Sequence, residues 1–271
     1  MTDRYAVVGN PISHSKSPRI HMAFAKQAQQ DIHYEAILAP QNEFHSTVNT
    51  FRQQGGKGMN ITVPFKQEAC QIAASLTERA RIAGAVNTFK FEDDHIQGDN
   101  TDGAGLIRDI TINLKIPVTD KRILLMGAGG AARGVILPLL QQHPTRLVIA
   151  NRTPQKAQLL QQQFSEFGPI IACSYMDLPG ECFDIIINAT SASLNNALPE
   201  LPSGIFATDT LAYDMMYGTE PTRFLNYAAQ QGARHLADGI GMLVEQAAES
   251  FYLWRGIRPD TRNIITNLKK I

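Results

Sequence analysis

The chain has 271 residues, long for one domain and sufficient for two, and its 44% hydrophobic content is ordinary for a globular protein. Twenty-five basic and twenty-five acidic residues give a formal net charge of zero, so the charge balance favours neither nucleic acid nor an anionic membrane. We therefore predict a small-molecule ligand, with no nucleic-acid or membrane partner, and leave a homodimer open beside a monomer.

Strands and helices alternate from the first residues onward. In chain order we predict strand Arg4–Val8, a helix from Pro18, strand His33–Leu38, helix Gln41–Gln54, strand Met59–Val63, helix Lys66–Leu76, strand Ala85–Glu92 and helix Ala104–Leu114. Such alternation is typical of a parallel or largely parallel sheet covered by helices on both faces. The turn-rich segment GDNTDG, residues 98–103, lies at the predicted domain boundary.

The second half repeats this alternation. It contains, in order, strand Arg122–Met126, helix Gly130–Gln142, strand Arg146–Ala150, a helix start at Thr153-Pro154, strands Asp184–Asn188 and Thr208–Tyr213, and helices Gly241–Arg255 and Thr261–Leu268. The order of strand, glycine-rich turn, helix and strand indicates a Rossmann-type nucleotide-binding unit. The predicted fold class is therefore α/β.

A glycine-rich turn follows the strand Arg122–Met126. Small residues let the backbone turn tightly and approach a pyrophosphate, while the next helix directs free N–H groups and its positive dipole end at that anion. The predicted pyrophosphate-binding residues are Gly127, Ala128, Gly129, Gly130 and Ala131. By itself the GxGxxA pattern is weak evidence, because glycine-rich turns are common.

No acidic residue occurs among the forty-five residues from Lys121 to Ser165. An NAD site would place a carboxylate after the second strand, where it binds the ribose 2′-hydroxyl. Here that position reads Asn151-Arg152-Thr153, and a guanidinium with nearby Lys156 suits a 2′-phosphate. We therefore predict NADP as the cofactor. The alternative is that Arg152 is an ordinary solvated side chain beside a helix start.

Polar loops in the first half could bind a small polar substrate. Ser15 and Ser17 lie at a helix start, where hydroxyl and N–H groups can bind a carboxylate, although Ser17-Pro18 also fits a simple cap. Lys66 and Asp102 each have an ordinary interpretation, as a solvated lysine and a turn residue. Together, facing a nicotinamide, they would provide a proton relay for hydride transfer and a charge for an alkoxide.

Cysteines, histidines and apolar runs exclude several classes of protein. Three cysteines without CxxC spacing indicate neither a disulfide framework nor a zinc site, and seven histidines show no metal-ligand spacing, so we predict no metal. The N-terminal apolar run is too short for a signal peptide, and nowhere do eighteen apolar residues run together. We expect a cytoplasmic protein.

Nine segments occur together in one order: GNPISHSKSPRIH, GMNITVPFK, AGAVNT, GDNTDG, MGAGGAARG, NRTPQK, INAT, YDMMY and ADGIGMLVEQAA. By these motifs the chain resembles shikimate dehydrogenase over nearly its whole length, and their joint occurrence is far more specific than any one of them. The resemblance implies a substrate-binding domain at residues 1–103, a Rossmann-type NADP-binding domain at 104–237, and C-terminal helices at 238–271 that return to the substrate domain.

The resemblance also implies roles for individual residues. Lys66 is the catalytic acid or base and Asp102 its partner. The implied substrate-binding residues are Ser15, Ser17, Thr62, Asn87, Asp102, Tyr217 and Gln246. The implied cofactor-binding residues are Glu78, the turn from Gly127 to Ala131, Asn151, Arg152, Thr153, Lys156, Met215 and Gly239. Glu78 has an alternative interpretation, because Ser75 and Glu78 form an S-x-x-E capping box.

The predicted reaction is the reversible NADPH-dependent reduction of 3-dehydroshikimate to shikimate, a step toward chorismate and aromatic amino acids. Two alternatives stay open: a quinate/shikimate dehydrogenase with relaxed substrate and NAD use, and a non-catalytic sensor of shikimate-like ligands. The acid-free loop around Arg152 argues against NAD, and the presence of Lys66 and Asp102 argues against a sensor. A neighbouring carboxylate would raise the pKa of Lys66 and burial would lower it, so its charge is left open.

Overall fold

The computed structural model describes residues 2–92, 95–178, 180, 182–190, 198–199 and 201–269. The chain forms two compact units. The first consists of Met1–Gly105 and Val244–Asn267, and the second of Leu106–Leu243 and Leu268–Ile271. Each unit contains a six-stranded sheet.

The first unit is built on a mixed sheet. Its strands are β1 (Asp3–Gly9), β2 (Ile32–Leu38), β3 (Gly56–Ile61), β4 (Ser75–Leu76), β5 (Thr88–Glu92) and β6 (His95–Asp99), in the spatial order β2-β1-β3-β5-β6-β4. The helices in this part of the chain are α1 (Ser17–Ala28), α2 (Phe44–Gln53), α3 (Lys66–Ile72), α4 (Glu78–Ala83) and α5 (Asp102–Arg108). β1 pairs in parallel with β2 and β3, and β4 with β6, whereas β5 is antiparallel to both β3 and β6.

The second unit has a parallel sheet of Rossmann type, which confirms the prediction. Its elements are β7 (Arg122–Met126), α6 (Gly130–Leu140), β8 (Arg146–Ala150), α7 (Pro154–Phe164), β9 (Ile170–Cys173), β10 (Phe183–Asn188), β11 (Phe206–Asp214), α8 (Arg223–Gln230) and β12 (His235–Ala237). Each strand pairs in parallel with its neighbours in the order β12-β11-β10-β7-β8-β9. The last helices of the chain are α9 (Ile240–Arg255) and α10 (Arg262–Lys269).

Strands of the second sheet are buried on both faces. Every side chain from Ile123 to Met126, from Leu147 to Ala150 and from Ile185 to Ile187 has no exposed surface. Parallel strands covered by helices on both sides read as continuous apolar runs, which is why these strands could be predicted. Burying each large aliphatic side chain contributes about 1.5–3 kcal/mol relative to leaving it exposed.

The first sheet is less parallel than predicted, because β5 and β6 form an antiparallel pair. The first glycine of GDNTDG, Gly98, predicts a turn, yet it is paired within β6. A Cβ atom placed on Gly98 would lie 2.8 Å from Val86 Cγ2 and 2.9 Å from Leu76 Cδ2. Close packing of neighbouring strands, and not chain reversal, therefore explains this glycine.

The predicted helix Lys66–Leu76 is interrupted. It ends at Ile72, where Ala73 has an extended backbone (ψ 130°), and the Ala74 N–H donates to the Ile96 carbonyl at 2.8 Å. Pairing with β6 therefore takes over from helical hydrogen bonding and forms β4. Similarly, the helix predicted at Ala104–Leu114 begins earlier, at Asp102, and continues after α5 as a π-helical turn, Asp109–Asn113.

No helix among the described residues is long and apolar enough to cross a membrane. In the same part of the chain, no three His, Cys, Asp or Glu side chains lie together in an arrangement suited to a metal ion. Cys70, Cys173 and Cys182 are free thiols and are half-buried.

Trp254 in α9 packs against the first sheet at a glycine. Its indole Nε1 donates to the Phe89 carbonyl at 2.9 Å, and its ring stacks on Tyr5 with centroids 4.6 Å apart. A Cβ atom placed on Gly58 would lie 2.4 Å from Trp254 Nε1 and 2.9 Å from the Phe89 oxygen. The absence of a side chain at Gly58 thus allows the indole to reach β5.

We expect Gly58→Ala to destabilise the protein by about 1–3 kcal/mol, because the added methyl forces Trp254 away from its hydrogen-bond acceptor. Urea unfolding followed by the fluorescence of Trp254, the only tryptophan, measures the change. Gly180→Ala is the matched control, since a Cβ atom there has no neighbour within 4 Å. Equal unfolding midpoints for the two variants would contradict this account of Gly58.

Candidate active site

Lys66 and Asp102 form a short ion pair in the first unit. Lys66 Nζ lies 2.5 Å from Asp102 Oδ2, and the two side chains are only 16% and 6% exposed. Each is the first residue of its helix, α3 and α5 respectively. A carboxylate is favoured at a helix N-terminus and an ammonium is not, so Asp102 supplies the charge that compensates Lys66. The predicted pairing of Lys66 with Asp102, each of which also had an ordinary interpretation by itself, is therefore present.

The Asn87 side chain orients Asp102 from the other side. Asn87 is 2% exposed, and its Nδ2 donates to Asp102 Oδ1 at 2.8 Å. The same nitrogen lies 3.2 Å from Gln246 Oε1, while Asn87 Oδ1 accepts the Thr101 N–H at 2.8 Å. Four of the predicted site residues, Lys66, Asp102, Asn87 and Gln246, thus belong to one hydrogen-bonded cluster.

Ser15 and Thr62 lie in loops that follow neighbouring parallel strands, and Ser17 begins the helix α1 after the first of these loops. Ser15 Oγ accepts the Ser17 N–H at 3.3 Å, and the Thr62 N–H donates to the Val8 carbonyl at 2.9 Å. A Cβ atom on Gly9 would lie 2.4 Å from Thr62 Cγ2, so the glycine lets Thr62 approach β1. Because carboxyl ends of parallel strands meet at one edge, these hydroxyls share an edge of the first sheet.

The alternative interpretation of Ser17 as a helix cap is wrong. The N-cap position is Lys16, with no side-chain cap hydrogen bond, and Ser17 is the first helical residue. Ser17 is a buried residue, only 6% exposed. Its hydroxyl is therefore held inside the unit and does not close the helix end.

In the second unit, the glycine-rich turn leaves a helix start free of side chains. Gly127 has φ 105°, a conformation that favours glycine, and its N–H donates to the Ala150 carbonyl at 2.8 Å. The N-cap of α6 is Gly129, which provides no side-chain cap, and the first turn contains no acidic residue. A Cβ atom on Gly129 would have no neighbour within 4 Å. This helix start is thus open to an anion.

Arg152 and Lys156 are exposed at the start of α7. Thr153 is the N-cap and makes no side-chain cap bond, with Pro154 as the first helical residue. Asn151 Nδ2 donates to the Thr153 carbonyl at 2.9 Å and shapes this loop. None of the ion pairs in the described ranges includes Arg152 or Lys156. Two cations and a helix start therefore suit a phosphate group.

Met215 and Gly239, both predicted to contact the cofactor, lie against each other in the second unit. A Cβ atom on Gly239 would lie 2.2 Å from the Met215 carbonyl oxygen, and the Gly239 N–H donates to the Met216 carbonyl at 2.9 Å. Tyr217 follows in the same loop and belongs to the second unit, unlike the other predicted substrate-binding residues. Burial raises the pKa of the Tyr217 phenol.

The capping box proposed for Ser75 and Glu78 is wrong. Ser75 lies in β4, and its hydroxyl is 2.5 Å from His95 Nε2. The cap of α4 is Thr77, whose Oγ1 accepts the Ala80 N–H at 3.4 Å. Glu78 is the exposed first residue of that helix, so its carboxylate is not used as a reciprocal cap.

Three models of protein families match the chain. "Shikimate dehydrogenase substrate binding domain" matches residues 7–89, "Shikimate / quinate 5-dehydrogenase" matches 111–198, and "Shikimate 5'-dehydrogenase C-terminal domain" matches 239–266. A shikimate dehydrogenase (NADP(+)) from Nitrosospira multiformis is 63% identical over 269 residues, 99% of this chain and 98% of the relative. The chain belongs to the shikimate dehydrogenase family.

Solved structures agree with membership of the shikimate dehydrogenase family. The Ael1 enzyme from Pseudomonas putida is 51% identical with a TM-score of 0.93, covering 98% of both chains. Shikimate 5-dehydrogenase from Thermus thermophilus, solved in complex with NADP(H) and shikimate, is 30% identical with a TM-score of 0.87, covering 99% of both chains. The resemblance drawn from nine motifs is confirmed.

One charged cluster that is linked to this site through Asn87 was not predicted. Arg79 donates to both carboxylate oxygens of Asp99, at 2.7 and 2.5 Å, and to Glu249 Oε1 at 3.1 Å. The Asp99 carbonyl accepts the Asn87 N–H at 3.0 Å. Arg79 is twenty residues from Asp99 and has no motif of its own. The pairing of β4 with β6 brings Arg79, three residues after β4, to Asp99 at the end of β6.

The Asp99 carboxylate is 2% exposed. Burial raises its pKa, but hydrogen bonds and the positive charge of Arg79 outweigh burial and hold the pKa of Asp99 below its ordinary value. Since the folded pKa is below the unfolded one, this stabilisation is complete above the unfolded value of about 3.9. It is lost as the pH falls through the lower folded value.

We expect Arg79→Met to lower the free energy of unfolding at pH 7 by about 2–4 kcal/mol, because Asp99 is left as an unpaired buried charge. The variant should also lose much of the decline in stability that the parent shows below about pH 4. Urea unfolding at pH 7 and across the acidic range measures both effects. Arg234→Met is the control, since the Arg234–Asp209 pair is 68% and 71% exposed. Equal losses in both variants would contradict the assignment.

Proposed function

We propose that this chain catalyses the reversible NADPH-dependent reduction of 3-dehydroshikimate to shikimate, a step of the shikimate pathway toward chorismate and aromatic amino acids. The observation that carries the proposal is the Lys66–Asp102 ion pair held by Asn87 in a chain of this family. Relatives named shikimate dehydrogenase (NADP(+)) support the reaction and the cofactor.

The described residues fit NADP. The turn from Gly127 to Ala131 would hold the pyrophosphate, since its backbone bends at positive φ and α6 starts without a side-chain cap. The exposed cations Arg152 and Lys156, with Asn151 and Thr153, would hold the 2′-phosphate. Met215 and Gly239 would line the nicotinamide site, with Glu78 as a further cofactor contact. When bound, NADPH supplies the hydride.

Lys66 would act on the oxygen of the reacting carbon. When the ketone is reduced, its oxygen gains negative charge, and the Lys66 ammonium stabilises that charge and donates a proton to it. In the reverse direction Lys66 accepts the proton. Asp102 fixes the position of Nζ at 2.5 Å, and Asn87 in turn fixes the second oxygen of Asp102.

Neutral donors would hold the substrate. Ser15, Ser17, Thr62 and Tyr217 would bind its carboxylate through hydroxyl groups, which avoids burying another charge. A tyrosine hydroxyl is protonated at neutral pH and can donate, and burial, which raises the pKa of Tyr217, keeps it so. Asn87, Asp102 and Gln246 would bind the ring hydroxyls.

The domain roles follow the same assignment. We propose that residues 1–103 bind the substrate, 104–237 bind NADP, and the helices of 238–271 complete the substrate domain. The compact unit that joins Met1–Gly105 with Val244–Asn267 supports the last point, as does the hydrogen bond from Asn87 to Gln246. A cytoplasmic location stays a prediction from the sequence.

Steady-state rates with shikimate and quinate, each paired with NADP and with NAD, test the proposal. We expect the highest kcat/KM for shikimate with NADP, since Arg152 and Lys156 favour the 2′-phosphate. A higher kcat/KM for quinate with NAD would instead identify a quinate/shikimate dehydrogenase. Binding of NADP without any formation of NADPH from shikimate would identify the non-catalytic sensor.

Replacing Lys66 tests the chemistry. We expect Lys66→Ala to lower kcat roughly a hundredfold or more, because the variant loses its general acid, while the NADP dissociation constant changes little. Stopped assays with shikimate and titration of NADP measure the two quantities. Lys57→Ala, at an exposed lysine of β3, is the control and should retain activity. Unchanged turnover in Lys66→Ala would remove Lys66 from the mechanism.

A further inference from the structure

Asp214 is a buried carboxylate in the YDMMY motif, at the end of β11, to which the catalytic assignment gives no role. Asp214 has no exposed surface. Asp214 Oδ1 accepts the Met216 N–H at 3.0 Å. Asp214 Oδ2 accepts the Thr222 hydroxyl at 2.6 Å and Asn188 Nδ2 at 3.2 Å.

These hydrogen bonds join two loops of the second unit. Asn188 ends β10, and its Oδ1 accepts both the N–H and the hydroxyl of Thr190, at 3.1 and 2.7 Å. The Met215 N–H donates to the Asn188 carbonyl at 3.0 Å. Since β10 and β11 are parallel, Asp214 ties together the loops at their carboxyl ends, the edge where nucleotides bind in open α/β sheets.

A second segment, at Gly239, also contacts the loop after β11. Gly239 approaches the Met215 carbonyl so closely that a Cβ atom would lie 2.2 Å from it, and the Gly239 N–H binds the Met216 carbonyl. Asp214 holds the Met216 N–H, so both polar backbone atoms of Met216 have partners. Hydrogen bonds to Asn188, Asp214 and Gly239 therefore restrain the backbone of Met215 and Met216.

We propose that Asp214 is a positioning residue for the nicotinamide end of NADP. It acts through Met215 and the backbone of its loop and not by touching the cofactor. This inference rests on the proposed function, because it takes Met215 to line the nicotinamide site. Asp214 has no part in binding the 2′-phosphate, which Arg152 and Lys156 would bind.

An amide cannot replace this carboxylate, although it has the same shape. Both oxygens of Asp214 accept hydrogen bonds, and Oδ2 faces the Thr222 hydroxyl and the Asn188 amide nitrogen. In Asp214→Asn one oxygen becomes an NH2 group, which would face one or more donors without an acceptor. A buried donor left unsatisfied in this way disturbs the loop.

The experiment compares two probes on Asp214→Asn. The dissociation constant of NADPH depends on the whole cofactor site, whereas that of adenosine 2′,5′-bisphosphate depends only on the end of the site at Arg152. We expect the dissociation constant of NADPH to rise at least about tenfold and kcat to fall, while that of adenosine 2′,5′-bisphosphate stays within about twofold. Asp209→Asn, at an exposed carboxylate on the same strand, is the matched control and should match the parent.

Thr222 provides a second test if Asp214→Asn does not fold. Thr222 donates to Asp214 and also caps α8, since its Oγ1 accepts the Leu225 N–H. Thr222→Val removes the hydroxyl and Thr222→Ser retains it. We expect the valine variant to weaken NADPH binding and spare adenosine 2′,5′-bisphosphate, and the serine variant to restore parental NADPH binding.

Two results would overturn the proposal. Either the variants bind NADPH and turn over as the parent does, or they lose both probes equally, as general destabilisation would produce. Failure of the proposed function is separate, because it appears in the parent protein as absent turnover with shikimate and NADP. In that case the ratio of the two dissociation constants still decides the role of Asp214.

Discussion

A pair of charges largely removed from water organises the first unit. The Lys66 and Asp102 side chains are 16% and 6% exposed and meet at 2.5 Å. Desolvating two ions costs several kcal/mol each, and their attraction offsets this only if the remaining polar atoms also find partners. Asn87 satisfies the second oxygen of Asp102, and Asn100 accepts its backbone N–H at 3.1 Å. The polar loops of the first unit thus provide the hydrogen-bond partners that the buried Asp102 needs.

Both units satisfy buried carboxylates, but with different groups. Asp99 in the first unit is matched by the full charge of Arg79, which also reaches Glu249 in α9. Asp214 accepts from the Met216 N–H, the Thr222 hydroxyl and the Asn188 amide. A bidentate arginine fixes an orientation strongly, whereas several neutral donors fix the loops from which they come. The arginine therefore fixes the Asp99 side chain in the first unit, and the neutral donors fix the loops around Asp214 in the second.

Apolar patterning predicted four of the six strands in each sheet, and the predicted bounds were closer in the second sheet. β7 and β8 have the predicted bounds, because strands buried on both faces are continuous runs of large aliphatic residues. β9 and β12 in the second sheet and β4 and β6 in the first were not predicted. β4 has only two residues, and Gly98 in β6 is a local signal for a turn. The pairing of β4 with β6 depends on contacts between segments about twenty residues apart, which periodicity within one segment cannot reveal.

The sequence by itself determined the family and the cofactor. The order of nine motifs indicates the family, and the absence of acidic residues around Arg152 indicates NADP; both depend only on which residues occur along the chain. It also named Lys66 and Asp102, each with an equally ordinary local interpretation. Only the tertiary structure decided that they meet, that Asn87 orients Asp102, and that Arg79 neutralises Asp99. The physical reason is that burial and Coulomb attraction depend on distance in space, whereas a motif records only neighbours along the chain.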